Sequence, residues 1–277
     1  MSDGAMVRSG RRRARRAATG TAREGAARAG LVARGVIYLL VGVLALRIAF
    51  GDGGREADRS GALEEISSKP FGAVLLWALG AGLVGMALWR LSEALFGAVG
   101  PDGGKARKRL MSTVRCVFYG FVAYSVLSFA AGSGGSGSSD EQSRDVTAKA
   151  LGIPAGQWIV GAAGAGLVAA GVWIAARAVR RKYRKHLKLG EMSPRTRRAV
   201  DTAGVAGGMA RGAVFAALGA FAVRAAVDYE PDKAKGVDDT LRSFTETPLG
   251  PWLLACVAVG LALFGAFSCA MARWRKV

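Results

Sequence analysis

Apolar positions in this chain fall into long blocks separated by polar stretches. Residues 71–89, 116–131, 150–176 and 247–272 contain no charged side chain. About 20 mostly apolar residues suffice to cross the hydrocarbon core of a bilayer. Two further apolar stretches carry arginines, Arg34 and Arg47 in the first and Arg211 and Arg224 in the second. An arginine held at the bilayer centre is costly. In both stretches, however, the arginines stand 13 residues apart, about 20 Å along a helix, so the two guanidinium groups can snorkel to opposite interfaces. The pattern predicts an all-α membrane protein with transmembrane helices at 31–50, 71–92, 113–131, 155–176, 204–227 and 249–272. A soluble core of this chain length could not hide six such helices.

The blocks repeat. Arg34-Gly-Val-Ile-Tyr38 aligns with Arg115-Cys-Val-Phe-Tyr119 and Arg211-Gly-Ala-Val-Phe215. Pro70-Phe-Gly72 aligns with Pro154-Ala-Gly156 and Pro248-Leu-Gly250. Beyond the prolines the register holds without gaps: Gly82, Gly166 and Gly260 share one offset, and Trp89, Trp173 and Phe267 another. Fixed offsets of this kind mark tandem repeats, placed here at 29–95, 113–176 and 204–273 and joined by linkers at 96–112 and 177–203. Each repeat has two spans, so all three share one orientation, and a closed pseudo-threefold bundle about an axis along the membrane normal follows. The prolines are expected in first helical turns, with Thr247 and Ser68 as N-caps. The mid-helix glycines are expected to pack against neighbouring helices. Trp89, Trp173 and Phe267 are expected at the inner interface, with Trp158 and Trp252 at the outer one.

Charge gives the orientation. The 277 residues carry a formal net charge of +19 despite a mean hydropathy of +0.26. With the N-terminus inside, the inner segments hold 26 Lys and Arg and the outer loops 8. By the positive-inside rule both termini are cytoplasmic. Residues 1–28 form a basic tail, expected to be disordered, with no apolar core of a cleavable signal peptide. The arginines at 8, 11–13, 15 and 16 and the cluster at 180–185 are expected to attract anionic lipid at the cytoplasmic face. The basic charge therefore does not require nucleic acid, for which no binding motif is present.

Repeat one carries these features most fully, with Gly61-Ala-Leu63 in its outer loop. From about residue 29 to 273, the chain resembles the bacterial membrane proteins catalogued as domain of unknown function 1206. The resemblance implies tandem two-helix repeats, usually three, in the bacterial cell membrane. That family's biochemical role is not established. Repeat two departs from the pattern at Cys116 and repeat three at Phe215.

Little in the sequence speaks for catalysis. Gly80-Ala-Gly-Leu-Val-Gly85 fits the dinucleotide fingerprint G-x-G-x-x-G, but it lies within a span and not between a strand and a helix. Cys116, Cys256 and Cys269 are expected as packing residues, and His186 as a solvated side chain in a basic linker. No catalytic residue, metal site or cofactor is expected. The recurrent Arg34, Arg115 and Arg211 read first as snorkelling anchors and alternatively as a ring binding an anionic solute or headgroup. Tyr38, Tyr119 and Phe215, four residues on, share a helix face with them and can stack on the guanidinium groups. The function expected is a non-enzymatic structural or interaction module; the alternatives are a small anion channel or transporter and an anionic-lipid binder. Protein partners are not legible.

Overall fold

The computed structural model describes residues 3–51, 54–97, 106–133, 138–247 and 249–275, with side chains from Glu24 onward except at 107 and 108. Outside the described residues lie Pro248, residues 98–105 of the first linker and the side chains of the arginines at 8, 11–13, 15 and 16. Six long helices, each able by length and composition to cross a membrane, carry the predicted spans. They are α1 (Asp3–Ala49), α3 (Gly72–Phe96), α4 (Ala106–Ala130), α6 (Gly156–Val179), α7 (Pro194–Asp228) and α9 (Gly250–Trp274). Each outer loop folds a short helix of its own: α2 (Arg59–Ser67), α5 (Ser139–Leu151) and α8 (Val237–Ser243). Among the described residues there is no strand, only an isolated antiparallel bridge between Leu187 and Arg275.

One segment differs from expectation. The basic tail continues α1, whose helix begins at Asp3, because its many alanines and arginines are strong helix formers. The second linker is built as well. Ser193 caps the N-terminus of α7 through the Thr196 N–H, and Pro194 occupies the first turn, a favoured place for proline. The preceding stretch folds as short 3₁₀ turns, Lys182–His186 and Leu189–Glu191. It is pinned beneath the bundle where the Lys188 N–H donates to the Trp274 carbonyl at 2.9 Å.

The second helix of each repeat packs on the first helix of the next: α3 on α4, α6 on α7, and α9 back on α1. Within repeats, α1 packs on α3 and α7 on α9. The corresponding α4–α6 packing is marginal at most, so the chain of contacts stays open there. Gly82 and Gly260 lie in the two formed intra-repeat interfaces, against Ala33 and Ala210, each the residue before a repeat arginine. Gly166, their equivalent in α6, has nothing within 4 Å of where a Cβ would stand.

Between repeats the backbones come closer. A Cβ on Gly171 would meet the Gly212 carbonyl oxygen at 2.5 Å, and one on Gly212 would meet that of Gly171 at 2.7 Å. Gly164 and Gly219 make the same reciprocal approach, as do Gly35 and Gly265 across α1 and α9. Such contacts let helices associate in lipid through van der Waals packing. Gly80, Gly82 and Gly85 all lie inside α3, where added methyls would meet Leu127, Ala29 and Ala26. The G-x-G-x-x-G string is thus a helix-packing pattern.

The Pro-x-Gly signature is a turn and not a first helical turn. Pro70 and Pro154 precede their helices by two residues, and Phe71 and Ala155 adopt left-handed φ of 63° as N-caps. The next N–H closes the turn: Gly72 donates to Lys69, Gly156 to Ile153 and Gly250 to Thr247. A Cβ on Gly72 would run into the Ile66 and Ser67 carbonyls, and one on Gly156 into that of Ala150. In repeats one and two the glycine is required because the end of the outer helix lies against the start of the next span, whereas Gly250 is favoured by its positive φ of 44°. Ser68 is therefore the C-cap of α2, and the Thr247 hydroxyl donates to the Phe244 carbonyl.

Candidate functional site

Two of the three repeat arginines turn inward, toward α9. Arg34 of α1 donates from Nε to the Ser268 hydroxyl at 3.2 Å, hydrogen-bonds with the Tyr119 phenol of α4 and lies 5.3 Å from the Phe264 ring centroid. Arg211 of α7 stands among three rings, 5.0 Å from Phe264, 5.1 Å from Phe215 and 5.7 Å from Tyr38. Its Nε is buried without a hydrogen-bond partner. The stacking expected between each arginine and the aromatic four residues on is formed by Arg211 and Phe215. Tyr38 of α1 instead receives Arg211 of α7, and Tyr119 of α4 receives Arg34 of α1.

Arg115, the third, is exposed on α4. It lies within electrostatic reach of Arg90, Glu93 and Arg177. Arg90 is 6% exposed; it stacks 4.1 Å over Trp89 and pairs with Glu93 at 2.7 Å. Arg275 covers the same Trp89 ring at 4.8 Å. Its guanidinium is pushed down to about 10, first by burial and then by the positive charges of Arg90 and Arg34. The inner half of the bundle thus gathers Arg34, Arg90, Arg115 and Arg275, with Glu93 within reach of Arg115 and Arg275, and Arg211 joins Arg34 at the Phe264 ring.

Trp173 is exposed, 5.7 Å from the Lys182 ammonium. Trp89 and Phe267, expected in the same interfacial belt, are buried, Trp89 beneath arginines and Phe267 against Tyr183 at 4.9 Å. They face the bundle because α3 and α9 have neighbours on that side. Trp158 and Trp252 are exposed near the outer ends of α6 and α9. Cys116, Cys256 and Cys269 are free thiols, and His186 is exposed. Arg47 and Arg224 reach outer carboxylates, Glu65 at 3.5 Å and Asp228 at 3.7 Å.

The opposite end holds an arrangement not anticipated from the sequence. Asp58 in the first outer loop accepts the Ser139 N–H of the second at 3.0 Å. Asp140 in the second accepts the Asp239 N–H of the third at 3.2 Å. Asp238 in the third accepts the Ala57 N–H of the first at 2.6 Å. Three buried aspartates therefore tie the outer loops in a cycle, each repeat holding the next. Burial, with Asp58, Asp238 and Asp140 nearby, pushes Glu56 up to about 7. Burial and the neighbouring Asp239 push Asp140 up to about 6. Asp140, Asp238 and Asp239 bring carboxylate oxygens within 4.8 Å of one another. Asp238 is also held by Arg242 and Asp239 by Arg144, both at 2.7 Å, so the cluster reads as a tie between loops and not a cation cage. The aspartates stand 12, 14 and 10 residues before their repeat prolines, and that drifting offset hides them from alignment.

The family described as Domain of Unknown Function (DUF1206) matches three successive stretches, 29–97, 110–181 and 206–275. The chain belongs to that family. Each DUF1206 match takes in one pair of long helices and the outer loop between them. The chain is also similar to "Uncharacterized protein YxxB" of Bacillus subtilis (strain 168), 32% identical over 243 residues covering 87% of each chain. No solved structure matches it. DUF1206 membership bears on architecture and says nothing of a reaction, substrate or partner.

Proposed function

We propose that this chain is a non-enzymatic multi-pass module of the bacterial cell membrane whose inner half recognises an anionic group, of a lipid or of a solute. Both termini lie in the cytoplasm, and the helices follow a pseudo-threefold order opened at one seam. The orientation is supported by the excess of Lys and Arg in the inner segments. The helix order is supported by the three inter-repeat pairings, α9 on α1 included.

The observation carrying the anion reading is the inner cluster: Arg34, Arg90 and Arg115 all act on Arg275, Arg211 shares the Phe264 ring with Arg34, and Glu93, the carboxylate beside Arg275, is already held by Arg90. Crowded positive charge at low dielectric is unfavourable unless paired, and rings offset only part of that cost. An anion among Arg34, Arg211 and Arg275 completes the electrostatics. A second reading, in which the arginines serve packing alone, is favoured by the three rings around Arg211.

The test uses the full chain in neutral-lipid nanodiscs, with thermal stability followed as inorganic phosphate or phosphatidylglycerol is added. Recognition predicts stabilisation that R34Q/R211Q abolishes. No stabilisation by either anion, or stabilisation unchanged in that variant, leaves the packing reading. Measuring anion flux in proteoliposomes then separates a transporter from a binder.

A further inference from the structure

A second basic site lies beside α7, in the linker connecting repeats two and three. A cavity of about 800 Å³ opens between the 3₁₀ turns of the linker and the first turns of α7. Its size suits a small ligand or a large part of a lipid. Arg181, Arg184, Arg197 and Arg198 line one end. The acid beside them, Asp201, is engaged by a two-pronged pair with Arg184 and accepts the Tyr183 hydroxyl at 3.3 Å. Asp201 also lies within electrostatic reach of Arg181, and among the described residues no carboxylate is ion-paired with Arg197 or Arg198. The opening turns of α7 also place arginines at 195, 197 and 198 with no acid in the first turn, although a helix N-terminus favours negative charge.

Further along α7 the lining is apolar, with Val205, Ala206 and Met209. From Arg197 to Met209 the helix advances about 18 Å. At 35 residues, α7 spans about 52 Å, well beyond the roughly 30 Å of hydrocarbon. Its arginine-bearing turns thus stand at headgroup level, and Val205 and Met209 lie at the depth of acyl chains.

We propose that this cavity is a binding site for an anionic phospholipid of the inner leaflet, with its phosphate on Arg181, Arg197 and Arg198 and an acyl chain along Val205 and Met209. Free phosphate would use only the basic end. The apolar floor, continuous with that end, argues for the lipid. None of the inner-cluster arginines lines the cavity, so the site stands independently of the function proposed above.

Native mass spectrometry of the full chain, released from micelles doped with phosphatidylglycerol or phosphatidylcholine, tests the assignment. Phosphatidylglycerol should be retained in preference to phosphatidylcholine. R197Q/R198Q should weaken that retention about tenfold or more, given the energy of each basic residue near an anionic surface. Both side chains are exposed, so the variant should fold, and R197K/R198K should recover much of the retention. Val205→Trp, which narrows the apolar end, should also lower it. In the R34Q/R211Q background the loss of retention caused by R197Q/R198Q should persist undiminished, which separates failure of this site from failure of the inner cluster. Equal retention of the two lipids, or retention unchanged in R197Q/R198Q, would overturn the site. Inorganic phosphate displacing the lipid from wild type while V205W has no effect would overturn the lipid assignment in favour of a phosphate site.

Discussion

Two glycines five residues apart on α6 should respond in opposite directions to the same substitution. At Gly166 a Cβ would have nothing within 4 Å. Gly166→Ala should therefore stabilise by the helix-interior difference between the two residues, about 0.5–1 kcal/mol. At Gly171 the added methyl would stand 2.5 Å from the Gly212 carbonyl oxygen and 2.6 Å from the Ala216 nitrogen. Ordinary contact begins near 3.4 Å, and both obstacles are backbone, which cannot rotate away. The helices must separate by about 1 Å, loosening the Gly164–Gly219 approach as well. Overpacking of this kind costs roughly 1–3 kcal/mol. Less the propensity gain, Gly171→Ala should destabilise by about 1–2 kcal/mol.

Unfolding by sodium dodecyl sulfate in mixed micelles, followed by circular dichroism, gives both free energies in one host. The two variants should straddle wild type, about 1.5–3 kcal/mol apart. If Gly171→Ala unfolds with wild type, the close α6–α7 approach is wrong. If Gly166→Ala is destabilised as much as Gly171→Ala, that face of α6 is covered.

The outer aspartate cycle gives two predictions and the membrane orientation a third. Asp140 and Glu56 have folded-state pKa values raised to about 6 and about 7, so the folded state holds protons that the unfolded chain releases, and stability should fall as pH rises from about 4 to about 7. Asp140→Asn keeps an acceptor for the Asp239 N–H and should raise the melting temperature at pH 8 but not at pH 4; an equal effect at both would refute the shift. Asp238→Ala strands the buried Ala57 N–H and removes the carboxylate that holds the Arg242 Nε, and should destabilise by about 2–3 kcal/mol. Asp239→Ala removes a partly exposed pair with Arg144 and should cost under about 1 kcal/mol; denaturant titration ranks them, and reversal would put the tie elsewhere. In a chain freed of its three native cysteines, an impermeant maleimide added to intact cells should label Asp145→Cys and spare Lys185→Cys; the opposite pattern inverts the topology.

The fold was legible where membrane physics acts through single-chain patterns. Uninterrupted apolar length marks spans, and Arg-to-Pro spacing marks repeats. The reading faltered where a residue's role depends on its neighbours. Nothing in the sequence separates Trp89 from Trp173, yet one is buried beneath Arg90 and Arg275 and the other is exposed. Gly82 and Gly166 hold the same register, yet only the first meets another helix. The inner site was half visible: Arg34, Arg115 and Arg211 repeat, whereas Arg90, Arg275 and Phe264 do not and are joined to them only by packing. The Pro-x-Gly string was visible but misassigned, because its glycine answers to the carbonyl of a preceding outer helix that the charge pattern does not announce.

Repeat two breaks the order set by the other repeats. Ala33 and Ala210 let Gly82 and Gly260 approach, whereas the corresponding position in repeat two is Val114, 57% exposed. Glycines at 35 and 212 become Cys116, and Arg115 stays outside while Arg34 and Arg211 turn in. The larger residue before the arginine keeps α4 from seating on α6, whereas the position after it faces the neighbouring repeat, as Gly35 does toward Gly265 and Gly212 toward Gly171. Paired cysteines probe this directly. A Cβ on Gly82 stands 3.2 Å from that of Ala33, near the 3.5–4.5 Å that a disulfide spans, so Ala33→Cys with Gly82→Cys should cross-link on mild oxidation. Val114→Cys with Gly166→Cys, the same positions in repeat two, should remain reduced and react with a membrane-permeant thiol reagent instead. Efficient cross-linking of that second pair would mean that repeat two closes in the bilayer, and that the closed threefold bundle first read from the sequence describes the protein after all.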